Sequence, residues 1–341
     1  MRPLSTRTAG FTDSVIRRMT RISNKYGAIN LSQGFPDFDP PKEITSRLAE
    51  IAPSGPHQYA VTWGAQNFRE ALAKKHSHFT GLPIDADKNI VVTCGSTEAM
   101  MAAMMTVVNP GDKVAIFSPF YENYTADTIL TGAEPVYIPL VPPTFSFDAD
   151  LLEDAFRNGA KALVLCNPSN PCGKVFTREE LQTIADIIIK YDGYVIAPER
   201  IIERVKKVHD FLTVGAAAPL MEAATVGLCF PDSYYADLQA HYTHMKQLFC
   251  DGLNQFGLTF TDPQGAYYVL LDVSKYGVKD DLHFCEWLAE HVGVGAVPGS
   301  CFFREDVHHL IRFHFAKRDD TLNAALDRLS ELDRKAKDYL R

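Results

Sequence analysis

Two Asn-Pro pairs lie in the segment NPSNPCG, residues 167–173, one residue after the apolar run ALVL. Proline fixes its own backbone φ and disfavours helix at the residue before it, so Asn167 and Asn170 are held on a rigid, extended turn. A rigid carboxamide offers a donor in a fixed direction, and open α/β sheets bind ligands beyond the carboxyl ends of their strands. A purely structural turn also uses such residues, but this placement favours a ligand-facing role.

A candidate anion site lies in TCGSTEAM, residues 93–100. The run NIVVTCG, residues 89–95, is predicted to be a strand, after which Ser96 and Thr97 open a helix. The free N–H groups and the positive dipole end of such a helix attract an anion. A well-capped helix without a ligand is the simpler alternative. The spacing of this segment fits neither a P-loop nor the dinucleotide-binding fingerprint. The glycines at 293, 295 and 299 do not fit that fingerprint either.

Two further side chains suggest binding of a planar, charged ligand. Tyr121, in SPFYENY, follows a predicted strand and could stack on a planar heterocycle, although an aromatic residue of the core is the commoner reading. Arg312, in HLIRFHFA, lies inside an apolar strand. Arginine is almost never buried alone, so we expect a carboxylate opposite it, either from a substrate or from a neighbouring side chain.

Strands and helices alternate from about residue 89, which predicts βαβ units and a mainly parallel sheet. The predicted elements are the strand NIVVTCG, the helix STEAMMAAMMTVV, the strand KVAIFSP, the helix ENYTADTILTGA, the strand EPVYIPL, the helix DADLLEDAFRNG, the strand KALVLCNP and the helix REELQTIADIIIKYD. We therefore expect an α/β fold with a large domain over residues 43–240. An N-terminal arm, residues 1–42, is expected to pack on a second, smaller domain.

The pattern changes beyond Asp210, where a long helix over residues 232–257 leads into an α+β region. This region, residues 241–341, is the predicted small domain. Its elements are the strand AYYVLLDV, the helix DLHFCEWLAEHVG, the strand HLIRFHFA and a terminal helix with Leu322, Leu326, Leu329 and Leu332 on one face.

The composition is that of an ordinary globular enzyme. The net charge of −8 argues against a nucleic-acid surface, and no apolar run reaches the roughly 20 residues that span a bilayer. The seven cysteines are scattered, with no C-x-x-C pair and an odd count, which favours reduced thiols in the cytoplasm over disulfides or a zinc site.

Taken together, these segments resemble the class I aminotransferases that use pyridoxal 5'-phosphate (PLP), and within them the kynurenine, aromatic and methionine aminotransferase branch. The resemblance covers nearly the whole chain and implies PLP-dependent transferase fold type I. Its segments follow the family order: INLSQGFPDFDPP, HQYAVTWGAQNFREALAKKH, VVTCGSTEAM, NPGDKVAIFSPFYENY, NPSNPCGKVF, VHDFLTVGAAAPLMEA, PQGAYYVLLDV and HLIRFHFAKRDDTL.

The resemblance implies a set of cofactor-binding residues. Ser96 and Thr97 would bind the phosphate of PLP, Tyr121 would stack on its pyridine ring, and Asn170 would donate to the 3-oxygen of the ring. Cys172 stands where the family usually has threonine, a change that we expect to be tolerated.

The resemblance also implies substrate and partner contacts. Arg312 would clamp the α-carboxylate of an amino acid or 2-oxo acid, and Gly34 would line the same site. Tyr59 resembles the residue that reaches the phosphate of a neighbouring subunit, so a homodimer is implied.

One segment of the family pattern is missing. In relatives, a strand with an Asp-Glu-x-Tyr motif and a second strand ending in Ser-x-x-Lys precede a strand similar to GYVIAPERI, which here occupies residues 193–201 directly after Asp192. By this resemblance, on the order of fifty residues are absent between Asp192 and Tyr194. Two strands of the sheet would then be lost as well.

The absent residues would include the lysine that forms the Schiff base with PLP and shuttles the proton, the aspartate that keeps the pyridine nitrogen protonated, and an arginine that pairs with the phosphate. Lys174 follows the NPSNPCG turn, and Lys206 and Lys207 lie in a charged helix after the junction, but none is expected to replace the missing lysine. Three functions remain open: a working transaminase, a non-catalytic relic or splice product of this family, and a PLP-dependent lyase. The missing lysine favours the second.

Overall fold

The computed structural model describes residues 4–11, 13–196 and 202–339. Within these ranges the helices are α1 (Val15–Tyr26), α2 (Lys42–Ile51), α3 (Gln66–Thr80), α4 (Ser96–Val107), α5 (Asn123–Leu130), α6 (Ala149–Arg157), α7 (Arg178–Lys190), α8 (Ile202–Leu212), α9 (Ala218–Leu228), α10 (Asp232–Gln255), α11 (Asp281–Trp287), α12 (Asp319–Leu329) and α13 (Leu332–Tyr339). A π-helical turn, Leu288–Val292, continues α11. None of the helices in these ranges is both long and apolar enough to cross a bilayer.

The strands form three sheets. They are β1 (Ile29–Asn30), β2 (Lys113–Ser118), β3 (Glu134–Val141), β4 (Ser146–Phe147), β5 (Ala160–Val164), β6 (Tyr194–Ile196), β7 (Thr259–Phe260), β8 (Tyr268–Asp272), β9 (Val294–Gly295), β10 (Val297–Pro298) and β11 (Leu310–His314). The largest sheet has the order β4-β3-β2-β5-β6, in which only β4 runs antiparallel to its neighbour. Helices connect its parallel strands, because parallel neighbours need a crossover.

The predicted strand at residues 89–95 is wrong. The segment is extended without strand pairing, and its backbone bond to a distant segment runs from Val92 N to Trp63 O at 3.0 Å. The physical reason is the order of the large sheet, in which no described strand runs beside this segment to complete a ladder. An apolar run without a neighbouring strand cannot satisfy its backbone as a strand.

The junction near Asp192 places β6 at the edge of the large sheet. The chain leaves α7 through Asp192, which has φ +51°, and Gly193, where an added Cβ would lie 2.7 Å from the Phe156 ring. The next residues form β6, which pairs in parallel with β5. The remainder of GYVIAPERI, residues 197–201, lies outside the described residues.

The small domain is built on a four-stranded antiparallel sheet with the order β10-β11-β8-β7. Its core includes the fully buried Phe249, Phe284 and Phe313. The segment before α2 joins this core: α1 buries Met19 in it, and β1 pairs in parallel with β9. Arg312 lies on β11, which has β10 on one side and β8 on the other.

The predicted single terminal helix is in fact two helices. Leu322, Leu326 and Leu329 lie on α12, whereas Leu332 begins α13. All four side chains are buried on one side. The break follows Leu329, where the Ser330 hydroxyl donates to the Asp327 carbonyl at 2.7 Å and ends α12.

Candidate functional site

Arg312 is the most completely buried of the predicted site residues, with 2% of its surface exposed. Its Nη1 donates to Asn170 Oδ1 at 2.7 Å, and its Nη2 donates to the Ser32 carbonyl at 3.2 Å. The guanidinium carbon lies 4.3 Å from the centroid of the Tyr268 ring and 4.5 Å from that of Phe302. Burial lowers the pKa of this guanidinium, although neighbouring groups oppose that shift.

The predicted carboxylate opposite Arg312 is not found among the described residues, where its partners are an amide and a carbonyl. Its Nε has no hydrogen-bond partner in the same ranges. A buried guanidinium paired only with neutral groups keeps its capacity to bind an anion. This arrangement favours the alternative in which the carboxylate comes from a bound ligand.

The Asn-Pro turn divides its two asparagines between two tasks. Asn167 holds the turn, because its Oδ1 accepts a hydrogen bond from Phe176 N at 3.1 Å. Asn170 reaches across to Arg312 through its Oδ1. Since that oxygen is engaged, the amide nitrogen of Asn170 is the atom left to donate to a ligand.

Gly34 lies where a side chain would not fit. A Cβ added there would lie 2.8 Å from the Tyr268 hydroxyl and 3.0 Å from the Tyr267 ring. Its neighbour Ser32 supplies the carbonyl that Arg312 binds. The structure therefore brings the segment around Gly34 together with Arg312 and Asn170.

Tyr121 is partly buried at the start of α5, with its ring edge-on to Tyr124 at a centroid distance of 5.9 Å. Burial raises the pKa of its phenol, and the charge of Glu122 adds to this shift, while the charge of Arg312 opposes it.

Ser96 and Thr97 form the first turn of α4, as predicted, and both are exposed. The helix begins after Gly95, which has φ +85° and offers no side chain to cap the first N–H groups. The Thr97 hydroxyl accepts a hydrogen bond from Asn123 Nδ2 at 3.1 Å, which ties this end of α4 to α5. These N–H groups can bind an anion.

Sequence reasoning missed two residues beside Ser96 and Thr97. Glu98 and His209 form a pair in which His209 Nδ1 lies 2.5 Å from Glu98 Oε1. The available signal was a histidine within VHDFLTVG, a segment that resembles the family, and an acidic residue in the first turn of a helix. Neither pattern reveals on its own that the two side chains meet.

The three lysines considered as replacements are engaged elsewhere or exposed. Lys174 is buried and its Nζ donates to Glu180 at 2.8 Å. Lys206 pairs with Glu203 at 2.7 Å, and Lys207 is exposed. Lys317, which sequence reasoning did not consider, donates to the Phe35 carbonyl at 2.8 Å, and burial lowers the pKa of its amine.

Tyr59 remains apart from these residues. Its side chain is 71% exposed, and in the described part of the chain its hydroxyl has no hydrogen-bond partner. The structure thus joins Arg312, Asn170 and Gly34 into one cluster and leaves Tyr59 on the surface.

A PLP-type ligand fits this site in part. Among the described residues Arg312 Nε has no hydrogen-bond partner, and Asn170 binds Arg312 through its oxygen, which leaves donors that suit a bound carboxylate and a ring oxygen. For a covalent link, the amines of Lys174 and Lys206 are both engaged in ion pairs, with Glu180 and Glu203.

Comparison with known proteins gives a family. The profile of the family "Aminotransferase class I and II" matches residues 26–193 and 191–329, in two parts that meet at residues 191–193. Methionine aminotransferase of Escherichia coli (strain K12) is 31% identical over 369 residues, which cover 94% of this chain and 96% of that protein. Kynurenine–oxoglutarate transaminase 3 of Homo sapiens is 27% identical and is covered to 88%.

Solved structures agree with this result. N-succinyldiaminopimelate aminotransferase from Mycobacterium tuberculosis superposes with a TM-score of 0.91 at 30% identity, over 97% of this chain and 100% of that chain. The fold is therefore PLP-dependent transferase fold type I, with a mainly parallel sheet in its large domain. The Escherichia coli alignment spans 369 positions but includes 94% of this chain, about 321 of its 341 residues, so about 48 positions have no counterpart here. The chain belongs to the class I and II aminotransferases, a family whose cofactor is PLP.

Proposed function

We propose that this chain is a family member without its cofactor lysine, which binds substrate and cofactor non-covalently and does not sustain amino transfer. The observation that carries the proposal is the junction itself. The family match is interrupted at residues 191–193, where the chain passes from α7 directly into β6. The segment expected to carry the lysine would lie at this point.

The remaining residues support binding. PLP, when bound, supplies the electron sink and the carrier of the amino group in this family. Arg312 would bind the carboxylate of an amino acid or 2-oxo acid, and its bond to Asn170 would orient that amide toward the ring oxygen. Ser96 and Thr97 would bind the phosphate, and Tyr121 would cover the ring.

A second candidate function is slow amino transfer that uses Lys317. Its favouring observation is the position of Lys317, whose Nζ binds the Phe35 carbonyl in the segment that also supplies the Ser32 carbonyl to Arg312. A partly desolvated amine is more readily deprotonated and hence more nucleophilic. This candidate is the weaker one for two reasons. The Lys317 amine already donates a hydrogen bond, and the aspartate that keeps the pyridine nitrogen protonated in relatives is expected to be missing.

Borohydride reduction followed by peptide mapping separates the two candidates. Our proposal predicts that the chain incubated with PLP gives no stoichiometric adduct on any single lysine. The second candidate predicts one adduct per chain on Lys317, which replacement by arginine removes. An adduct on Lys174, Lys206 or Lys207 at one per chain would contradict both.

We also propose a homodimer. Four apolar side chains, which we call the apolar rim, are exposed beside the α4 terminus: Tyr59, Val61, Phe211 and Val214. The two segments that carry them adjoin, because His209 Nε2 lies 2.8 Å from the Thr62 carbonyl. Exposed apolar residues in such a group are typical of an interface. Sedimentation should show a dimer for the unchanged chain and a monomer for Phe211→Asp. A monomer for the unchanged chain would contradict the proposal.

A reducing compartment such as the cytoplasm is proposed on the state of the thiols. All seven cysteines lie within the described residues and are unpaired. Fractionation of cells that express the chain, with blotting of each fraction, tests this. Recovery in an oxidising, secreted fraction would contradict it.

A further inference from the structure

Glu98 places a negative charge at the end of α4 that is proposed to bind phosphate. It lies in the first turn, next to Ser96 and Thr97, and its Oε2 accepts a hydrogen bond from Cys94 N at 2.5 Å. A carboxylate there stabilises the helix because it faces the positive dipole end. The same charge, if unbalanced, repels a second anion at that end.

His209 is the group that faces this carboxylate. Its side chain is completely buried, with Nδ1 2.5 Å from Glu98 Oε1 and Nε2 2.8 Å from the Thr62 carbonyl. The Thr62 carbonyl can only accept, so Nε2 donates to it, and a hydrogen must also lie between Nδ1 and Glu98 Oε1 because two lone pairs at that distance would repel. The pair of side chains then carries no net charge, so His209 balances the charge of Glu98.

The pair also links three parts of the chain. His209 lies on α8, which follows the junction, and Glu98 lies on α4. Thr62 belongs to the segment that carries Tyr59, and Gly215 packs against it, since a Cβ added at Gly215 would lie 3.0 Å from the Thr62 carbonyl. The Cys94 thiol donates to the Gly215 carbonyl at 3.5 Å. These contacts fix His209 against the end of α4.

We propose that His209 is a positioning residue that neutralises Glu98 and thereby keeps the α4 terminus able to bind a phosphorylated ligand. The inference rests on the proposed function, since it assumes that this terminus binds the phosphate. It extends that function to two residues with no direct ligand contact. The arginine expected to pair with the phosphate would lie in the missing segment, which increases the weight of this charge balance.

Calorimetric titration with pyridoxamine 5'-phosphate and with pyridoxamine, which lacks the phosphate, tests the inference. The unchanged chain should prefer the phosphorylated compound. His209→Gln should weaken binding of that compound about five- to tenfold, as expected for one unbalanced charge at a solvent-exposed site. Binding of pyridoxamine should stay within about twofold.

The double variant His209→Gln with Glu98→Gln is the decisive control. Removal of both charges should restore binding of pyridoxamine 5'-phosphate to within about twofold of the unchanged chain. If the double variant binds as weakly as His209→Gln, or if both ligands weaken equally, His209 only holds the fold and the inference is wrong. The proposed function would survive that outcome, because the unchanged chain would still select the phosphorylated compound.

Two further outcomes are covered. If His209→Gln does not fold, as judged by its thermal unfolding, Glu98→Gln alone must bind pyridoxamine 5'-phosphate at least as tightly as the unchanged chain. A fivefold or greater loss in that variant would overturn the inference. If the unchanged chain shows no preference for the phosphorylated compound, the proposed function and this inference both fail.

Discussion

The two ends of the candidate site differ in how completely they are built. At the carboxylate end, Arg312 is buried between two aromatic rings and holds Asn170 and the Ser32 carbonyl. At the phosphate end, Ser96 and Thr97 are exposed, and the segment before them pairs with no strand among the described residues. The first end depends on the small domain, and the second depends on the large sheet.

The difference follows from where the junction falls. Arg312 lies on β11, which has β10 and β8 on either side, so its position depends on strands that are present. The large sheet ends at β6, which has one strand neighbour among the described residues. The strands around Arg312 are therefore complete on both sides, whereas the junction leaves β6 at the edge of the large sheet.

The largest expected effect is on Arg312. Arg312→Lys should weaken binding of 2-oxoglutarate by about 3 kcal/mol, or roughly a hundredfold, because an ammonium cannot form the two-pronged contact of a guanidinium. Arg304→Lys is the matched control, since Arg304 is exposed and lies over the Tyr137 ring. Calorimetry measures both, and equal losses in the two variants would remove the special role of the carboxylate end.

Hydrogen exchange should show the same contrast in the backbone. Amides of β11 should exchange at least about a hundredfold more slowly than those of β6, because an edge strand opens locally more easily than a central one. Mass spectrometry of the peptides that contain Leu310–His314 and Tyr194–Ile196 measures this. Equal protection would indicate that the large sheet is as stable at its edge as the small domain.

Two buried aspartates give a smaller contrast. In the small domain, both Asp281 oxygens accept hydrogen bonds from Ser300 at 2.7 Å. In the large domain, Asp127 Oδ2 has no partner among the described residues, and burial raises the pKa of this carboxyl from 3.8 to about 6. Between about pH 4 and about pH 6, the folded chain therefore keeps a proton that the unfolded chain has released. The free energy of unfolding falls as the pH rises through this range, and above about pH 6 the whole destabilising effect of Asp127 is present.

Asp127→Asn should accordingly increase the free energy of unfolding by about 1–2 kcal/mol at pH 8 and leave it unchanged at pH 4. Asp281→Asn should decrease it by about 2 kcal/mol at pH 8, because an amide nitrogen would face the Ser300 donors. Urea unfolding at the two pH values measures both changes. A loss of stability for Asp127→Asn at pH 8 would show that the carboxylate has a partner.

The smallest effect is expected at the exposed end. Replacement of Ser96 and Thr97 together by alanine should weaken binding of pyridoxamine 5'-phosphate by about 1 kcal/mol, or roughly fivefold, because backbone donors remain. Binding of 2-oxoglutarate should not change. If the double replacement abolishes phosphate-dependent binding, the phosphate end is better ordered than its exposure indicates.

The sequence predicted those parts of the fold that local patterns determine. Alternating strands and helices predicted β2 to α7. That Asn170 faces a ligand stays a prediction from the Asn-Pro turn. The segment 89–95 has the pattern of a strand, yet a strand also needs a neighbour, and the neighbour depends on residues far along the chain. For the same reason, the register of β6 beside β5 could not be predicted.

The predicted site shows the same limit. Arg312 stands out because a cation in an apolar strand requires a partner, but its partners, Asn170 and Ser32, are separated from it by 142 and 280 residues. His209 and Glu98 are 111 residues apart, and neither residue type is unusual in its own helix. Their pairing arises from the packing of α8 on α4, which no local pattern shows.

Steady-state amino transfer by the purified chain, supplied with PLP, an amino acid and a 2-oxo acid, tests the central claim most directly. Our proposal predicts no amino transfer above that of PLP alone, because no lysine in the site carries the proton between substrate and cofactor. Many transfers per subunit, lost when a single lysine such as Lys317 is replaced by arginine, would contradict it.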